Sequence, residues 1–319
     1  MGLAALRRGA LAEGIAELER VVESGLVSPI LQPEAYGYLG RAYAASGRPE
    51  RAVALFRRCL SELQDASGND AVHVRFAVYL SYALADIGEV AEAREVLSSA
   101  MRSAEALSDP YMQARLYWSQ ARLASDEGNP RVALDHLRRA VALLETTEDR
   151  RQLGRAHLLW AEILTGGGNA REAGAHLEVA ERLLDADADA EDRVWLLVEQ
   201  ARHAAETGSA DDAVRCARKA LSLLAGADLG EQGEAYWALA KGLALLGEVD
   251  EANGAFRSAV EHLEAQRDWR NASQASRDWA DALRKEGRSG PAMEALERAT
   301  ELALKASQAT PRLATTADR

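Results

Sequence analysis

Six histidines, two cysteines, one triple glycine and one acidic run are the places in this 319-residue sequence where chemistry could be concentrated, and spacing decides each case. A zinc site built on one helix needs ligands a turn apart. His73, His136, His157, His176, His203 and His262 stand on separate stretches with no pair at that spacing, so each is expected on the surface or in a packing seam. Cys59 and Cys216 lie far apart and describe no disulfide framework, which makes a reducing cytoplasm the expected setting. Cys216 has Arg215, Arg218 and Lys219 nearby, which could lower a thiol pKa, but an inert cysteine is the expectation. Gly166-Gly167-Gly168 lacks the strand and the lysine of a phosphate loop. The run from Asp185 to Asp192 lacks the glycine-bearing spacing of a calcium loop and reads as a solvated joint. Neither a cofactor nor a metal is expected, and the chain reads as a non-enzyme.

The glycines carry more information. Gly9, Gly47, Gly88, Gly128, Gly168, Gly208, Gly247 and Gly287 recur at steps of 38 to 41 residues. Five residues after each, from Gly47 onward, stands an alanine: Ala52, Ala93, Ala133, Ala173, Ala213, Ala252 and Ala292. Around Gly47, the positions of Tyr36, Leu39, Gly40 and Tyr43 share one helix face, and Ala52, Phe56 and Cys59 share a face of a second helix. The repeated unit is therefore a helical hairpin, which buries its apolar stripes only by stacking on neighbours. First helices (A) are placed near 33–46, 71–87, 111–127, 150–167, 191–207, 231–246 and 268–286. Second helices (B) are placed near 49–65, 90–107, 130–146, 170–185, 210–225, 249–266 and 290–305. Ser67 to Asp70, Ser108-Asp109-Pro110 and Thr146 to Asp149 supply caps and breakers between hairpins.

Residues 1–305 read as one array, with a partial repeat over 1–30 and seven full hairpins over 31–305. Met1 to Arg8 would be the end of a helix A, followed by a helix B with Leu11, Ile15, Leu18 and Val22 on its stripe. The polar run 306–319, with Pro311, is expected to be a disordered tail. Hydrophobic residues are 48% and aromatics only 5%, which suits close packing through small side chains. The net charge of −12 argues against gripping nucleic acid through its phosphates. No apolar run approaches the length of a membrane span.

Tyr36, Leu39, Gly40, Tyr43, Ala52, Phe56 and Cys59 resemble the tetratricopeptide repeat pattern almost whole; Tyr236, Leu239, Ala252, Phe256 and Ala259 meet it in part. The resemblance implies an all-α, right-handed α-solenoid of antiparallel hairpins, here with a period of about 40 residues against the usual 34. More narrowly, Ala114 to Arg122 resembles the repeat region behind the helix-turn-helix of actinobacterial transcriptional regulators, although no helix-turn-helix precedes the first repeat here.

In tetratricopeptide arrays helix A lines the concave face, with ligand contacts thirteen, ten and six residues before the turn glycine. At those offsets this sequence places eight Arg or Lys against four Asp or Glu, a reversal of the chain's overall sign. The partner-binding set the resemblance implies is Arg41, Arg75, Tyr82, Arg115, Trp118, Arg122, Arg155, Trp195, Arg202, Trp237 and Lys241. Such a set suits an extended peptide or protein segment with acidic or carboxylate groups. A competing reading has the arginines paired with Asp86, Asp126 and Glu206 and the tryptophans filling seams. The function expected is a non-enzymatic binding scaffold, the sensor part of a bacterial regulator. The alternatives are self-association as a homodimer through an open N-terminal face, and a small-molecule or enzyme site within the array.

Overall fold

The computed structural model describes residues 11–64, 70–107, 109–184, 190–225 and 231–309, and among these every regular element is a helix. In chain order they are α1 (Leu11–Glu23), α2 (Pro33–Ala45), α3 (Pro49–Gln64), α4 (Asp70–Asp86), α5 (Val90–Leu107), α6 (Pro110–Asp126), α7 (Pro130–Leu144) and α8 (Arg150–Gly166). The rest are α9 (Ala170–Leu183), α10 (Ala190–Glu206), α11 (Ala210–Leu224), α12 (Gln232–Leu246), α13 (Val249–Ala265), α14 (Trp269–Lys285) and α15 (Ser289–Ala309). From α2 onward, even numbers are A helices and odd numbers B helices, close to the bounds that the glycine register predicts. α15 continues to Ala309, so residues 306–309 of the expected tail are helical, while 310–319 and the expected partial helix A at Met1 to Arg8 lie outside the described residues. Contacts divide the chain into two compact units, Met1–Arg150 and Arg151–Arg319.

Each A-to-B turn is built the same way. Gly47, Gly88, Gly128, Gly168, Gly208, Gly247 and Gly287 have φ between 72° and 85°, a region that side chains rarely enter. There the glycine N–H and the next N–H both fold back on the last helical turn, as Gly128 does to the Ser125 carbonyl and Asn129 to that of Ala124, both at 2.8 Å. These are the two bonds of a Schellman cap, and they satisfy carbonyls that the helix end would orphan. The chain then reverses, and the alanine five residues on is pressed against its partner helix: Ala52, Ala93, Ala133, Ala173 and Ala213 have no exposed surface. How close the helices come is clear at Gly40, where a Cβ would lie 2.0 Å from the Phe56 ring.

In the first unit the core gathers Leu39, Phe56, Phe76, Leu84, Leu97 and Leu116; in the second, Leu158, Leu159, Phe256, Leu263 and Leu283. Cys59 fills a buried slot where burial pushes its thiol up to about 12, and burial raises Cys216 as well, outweighing Arg215, so both are packing residues. Of the capping residues read at the joints, Asp109 accepts the N–H of Tyr111 at 2.9 Å, and the structure adds Asp268, which accepts that of Asn271 at 3.1 Å. On α1, Ile15, Leu18 and Val22 are buried, and the Tyr43 hydroxyl donates to Glu19 at 2.7 Å, tying α1 to α2. Among the described residues no helix is long and apolar enough to cross a membrane.

One joint departs from the glycine rule. Arg267, between α13 and α14, has φ 60°, and Asp268 N–H bonds back to the Leu263 carbonyl at 2.9 Å, so a Schellman turn is made with a side chain in the left-handed region. Replacing Gly128 by Ala should lower stability by about 1–2 kcal/mol, whereas Arg267→Gly should raise it by up to about 1 kcal/mol. Urea unfolding midpoints check both, and a neutral Gly128→Ala or a destabilising Arg267→Gly would contradict the turn assignment.

Candidate functional site

In the first unit the expected residues lie on the neighbouring A helices α2, α4 and α6. Arg75 on α4 donates to Glu34 on α2 at 2.8 Å. Gly37 leaves room for the Tyr79 ring, since a Cβ there would come within 2.9 Å of it. Beyond Tyr79 sits Arg115 of α6, its guanidinium carbon 5.9 Å from the Tyr79 ring centre and 5.8 Å from that of Tyr111. Tyr82 shares a 2.7 Å hydrogen bond with Ser119 and meets the Trp118 ring edge-on at 6.1 Å. Arg122 reaches Asp126 at 3.9 Å and also pulls on Asp86, whose carboxyl burial nonetheless pushes up to about 6. Arg41 is exposed on α2.

The second unit brings its set together on α8, α10, α12 and α14. Arg155 lies 3.5 Å from Glu191 and 3.4 Å from Asp192, with its guanidinium 5.9 Å from the Trp195 ring centre. Trp195 donates its indole N–H to Glu162 at 3.2 Å. Arg202 donates to Glu199 at 2.8 Å and lies 5.9 Å from the Trp237 ring centre. Burial works to lower the Arg202 pKa, but Glu199, Glu162 and Glu234 together hold it above the ordinary arginine value. Trp237 donates to Asp278 at 3.0 Å, and Lys241 pairs with Glu206 and, at 3.4 Å, with Asp278. Arg202, Trp237 and Lys241 thus converge on one cleft of about 340 Å³, completed by Thr165, Glu206, Gln274 and Asp278. The Thr165 hydroxyl is buried there without a hydrogen-bond partner.

Two sequence expectations change at this level, and a pair of histidines expected on the surface or in a seam meets in one. The face is not a basic stripe: Glu34, Glu199, Glu206, Asp192 and Asp278 neutralise its cations, much as the competing reading had it. Asp192 is not a solvated loop residue, because it sits in the first turn of α10, fully buried, with Arg151 and Arg155 paired to it. His157 and His176, on different helices, meet with their Nδ1 atoms 2.9 Å apart, and Trp160 stacks on His176 at 4.5 Å. Burial and then His176 depress His157 to about 4, so this pair packs as neutral rings.

A whole column of partners was missed. Tyr79, Ser119, Glu199 and Asp278 each stand nine residues before their turn glycine, and they contact Arg115, Tyr82, Arg202 and Lys241 respectively. That offset is four residues after the outermost expected position, hence on the same helix face.

Glu231 and Glu234 add to the acidic side of the second unit. Burial, then Glu234, Glu162 and Glu199, raise Glu231 to about 8; burial and Asp268 raise Glu234 to about 7. Carboxyls with raised folded-state pKa values bind protons more readily folded than unfolded, so their contribution is complete at acid pH and is lost as pH climbs through 8. Burial lowers His73, His136, His157 and His176 below the ordinary value of 6.5, so these do not mask this window. Urea midpoints should therefore drop between about pH 6.5 and about pH 8.5, and Glu231→Gln should flatten that slope; a wild-type midpoint that stays level or rises would contradict the burial of these groups.

Residues 33–62 match the family model described as tetratricopeptide repeat. No curated protein matches the sequence. Among solved structures, a Rap protein complexed with competence and sporulation factor superposes with a TM-score of 0.66 at 19% identity, over 85% of this chain and 76% of that one. The Rap conjugation gene regulator of plasmid pLS20, in complex with the Phr* peptide, gives 0.61 at 14% identity over 98% and 74%. The Cut9–Hcn1 assembly of the APC/C gives 0.66 at 16% over 95% of this chain, which spans about half of that one, 52%. At these identities the likeness establishes the fold. Residues 33–62 match the tetratricopeptide repeat model, and the left-handed glycine turns and the alanine register carry the same hairpin through the later described repeats.

Proposed function

We propose that the chain is a non-enzymatic scaffold that receives an extended peptide or protein segment on the exposed faces of its A helices, as the sensing part of a bacterial transcriptional regulator. The observation that carries this reading is the cleft of the second unit. Arg202, Trp237 and Lys241, expected from register alone as partner contacts, line it together with Glu206, Gln274 and Asp278. Donors and acceptors converge there around the edge of the Trp237 ring, which is only 8% exposed, so polar groups would make most of the contact. The Rap structures support it, being a factor complex and a regulator–peptide complex on the same fold. The similarity of Ala114 to Arg122 to actinobacterial regulator repeats supplies the cellular setting. Acidic side chains on the partner fit the first unit, where Arg115 has no carboxylate partner among the described residues.

A second reading, a small-molecule sensor, is favoured by the size of the same cleft, which lies in the range of ligand pockets. Gln274 is exposed at the rim, so Gln274→Trp should block the cleft without disturbing the core. Panning a random peptide library on the purified chain should yield binders that this variant loses by about 30-fold or more, the scale of a hot spot. Binders retained in full by Gln274→Trp would refute the cleft as the receptor. No peptides, but one metabolite raising the melting temperature saturably and only in wild type, would replace the scaffold reading by the sensor one.

A further inference from the structure

We infer that Arg115 is the receptor for a single carboxylate on the α4–α6 surface of the first unit, with the Trp118 indole N–H as a second donor. For the source of that carboxylate the inference rests on the scaffold reading; for the rest it rests on geometry.

A guanidinium drawn partly out of water ordinarily brings its counter-charge along, because an unpaired charge in a partly desolvated place is expensive. The expected cations obey that rule: Arg75 has Glu34, Arg122 has Asp126, Arg155 has Asp192, Arg202 has Glu199 and Lys241 has Asp278. Arg115 does not. It is partly buried, its surroundings are the rings of Tyr79 and Tyr111, it hydrogen-bonds the Tyr79 side chain and feels Tyr82, and among the described residues no Asp or Glu pairs with it. Tyrosine rings offer a cation the attraction of their π-faces but no full negative charge.

An independent observation lies one helical turn away. Trp118 Nε1 is a buried donor without an acceptor, although the equivalent donors of Trp195 and Trp237 have Glu162 and Asp278. Arg75 Nε, on the neighbouring A helix, is likewise buried without an acceptor. A carboxylate has two oxygens and about four lone-pair sites, enough for the guanidinium edge and an indole N–H together. Its single charge matches the one positive charge of Arg115. A dianion such as phosphate fits poorly, since Glu34, Asp86 and Asp126 already populate these helices.

The test uses the full chain labelled with nitrogen-15, the Trp118 indole resonance assigned with Trp118→Phe, and acetate as probe against acetamide, phosphate and chloride at matched ionic strength. Acetate should shift that resonance saturably, acetamide and chloride should not, and Arg115→Gln should abolish the response with the helical circular dichroism intact. Arg115→Lys, which keeps the charge but not the planar fork, should weaken acetate by about tenfold and serves if the Gln variant is unstable. An unmoved Trp118 resonance, an equal shift in Arg115→Gln, or tighter binding of phosphate than of acetate would each overturn the assignment. Peptides lost by Gln274→Trp but unaffected by Arg115→Gln would leave the scaffold reading standing and this site refuted. Acetate binding by a chain that captures no peptide would do the reverse.

Discussion

Two hydrogen bonds at a left-handed residue close each described hairpin turn, and the other features of the chain follow from the helix spacing they impose. With the turn fixed, the alanine five residues later has to face the preceding helix, and only a small side chain lets the two backbones approach as they do at Gly40 and Phe56. Within each unit, hairpins of constant geometry then stack at constant register. Side chains one repeat apart become neighbours, so Arg75 meets Glu34 across 41 residues of sequence and Lys241 meets Glu206 across 35. The B helices show the same ladder in Arg57 with Glu92 and Arg218 with Glu251. Exposed pairs of this kind contribute little stability each, so the ladder is a consequence of the stacking and not its cause.

That arrangement changes how the helix-A faces can recognise anything. Cations that sequence counting puts on one stripe are mostly held by carboxylates of the neighbouring helix or of their own. What remains for a partner is local. In the first unit it is an arginine framed by tyrosines, beside an indole donor that has no acceptor. In the second it is a cleft whose charges are balanced, flanked by carboxyls that burial and mutual repulsion keep partly protonated near neutral pH.

Most of the fold could be read from the residues alone, because a φ-positive glycine and a buried alanine leave a signal at fixed spacing that survives wide variation elsewhere. The joints were legible wherever a proline or a capping aspartate marked them, as at Asp109. Arg267 shows the limit: it makes the same turn without the glycine that announces it. Site residues were legible as a face but not as partners. Offsets place Arg155 and Arg202 on one A-helix face, yet their pairing depends on Asp192 being buried and on Glu199 lying one turn before Arg202. The contact of His157 with His176 has no sequence signal either, since it arises between helices whose relative rotation spacing does not set.

The central claim is that the A helices, and not the B helices, are the receptor surface. Hydrogen-exchange mass spectrometry of the chain with and without a peptide selected by library panning measures this most directly. The account predicts slowed exchange along α4, α6, α10 and α12, with α5, α7, α11 and α13 unchanged. Protection confined to those B helices, or to the joint between α1 and α2, would contradict it.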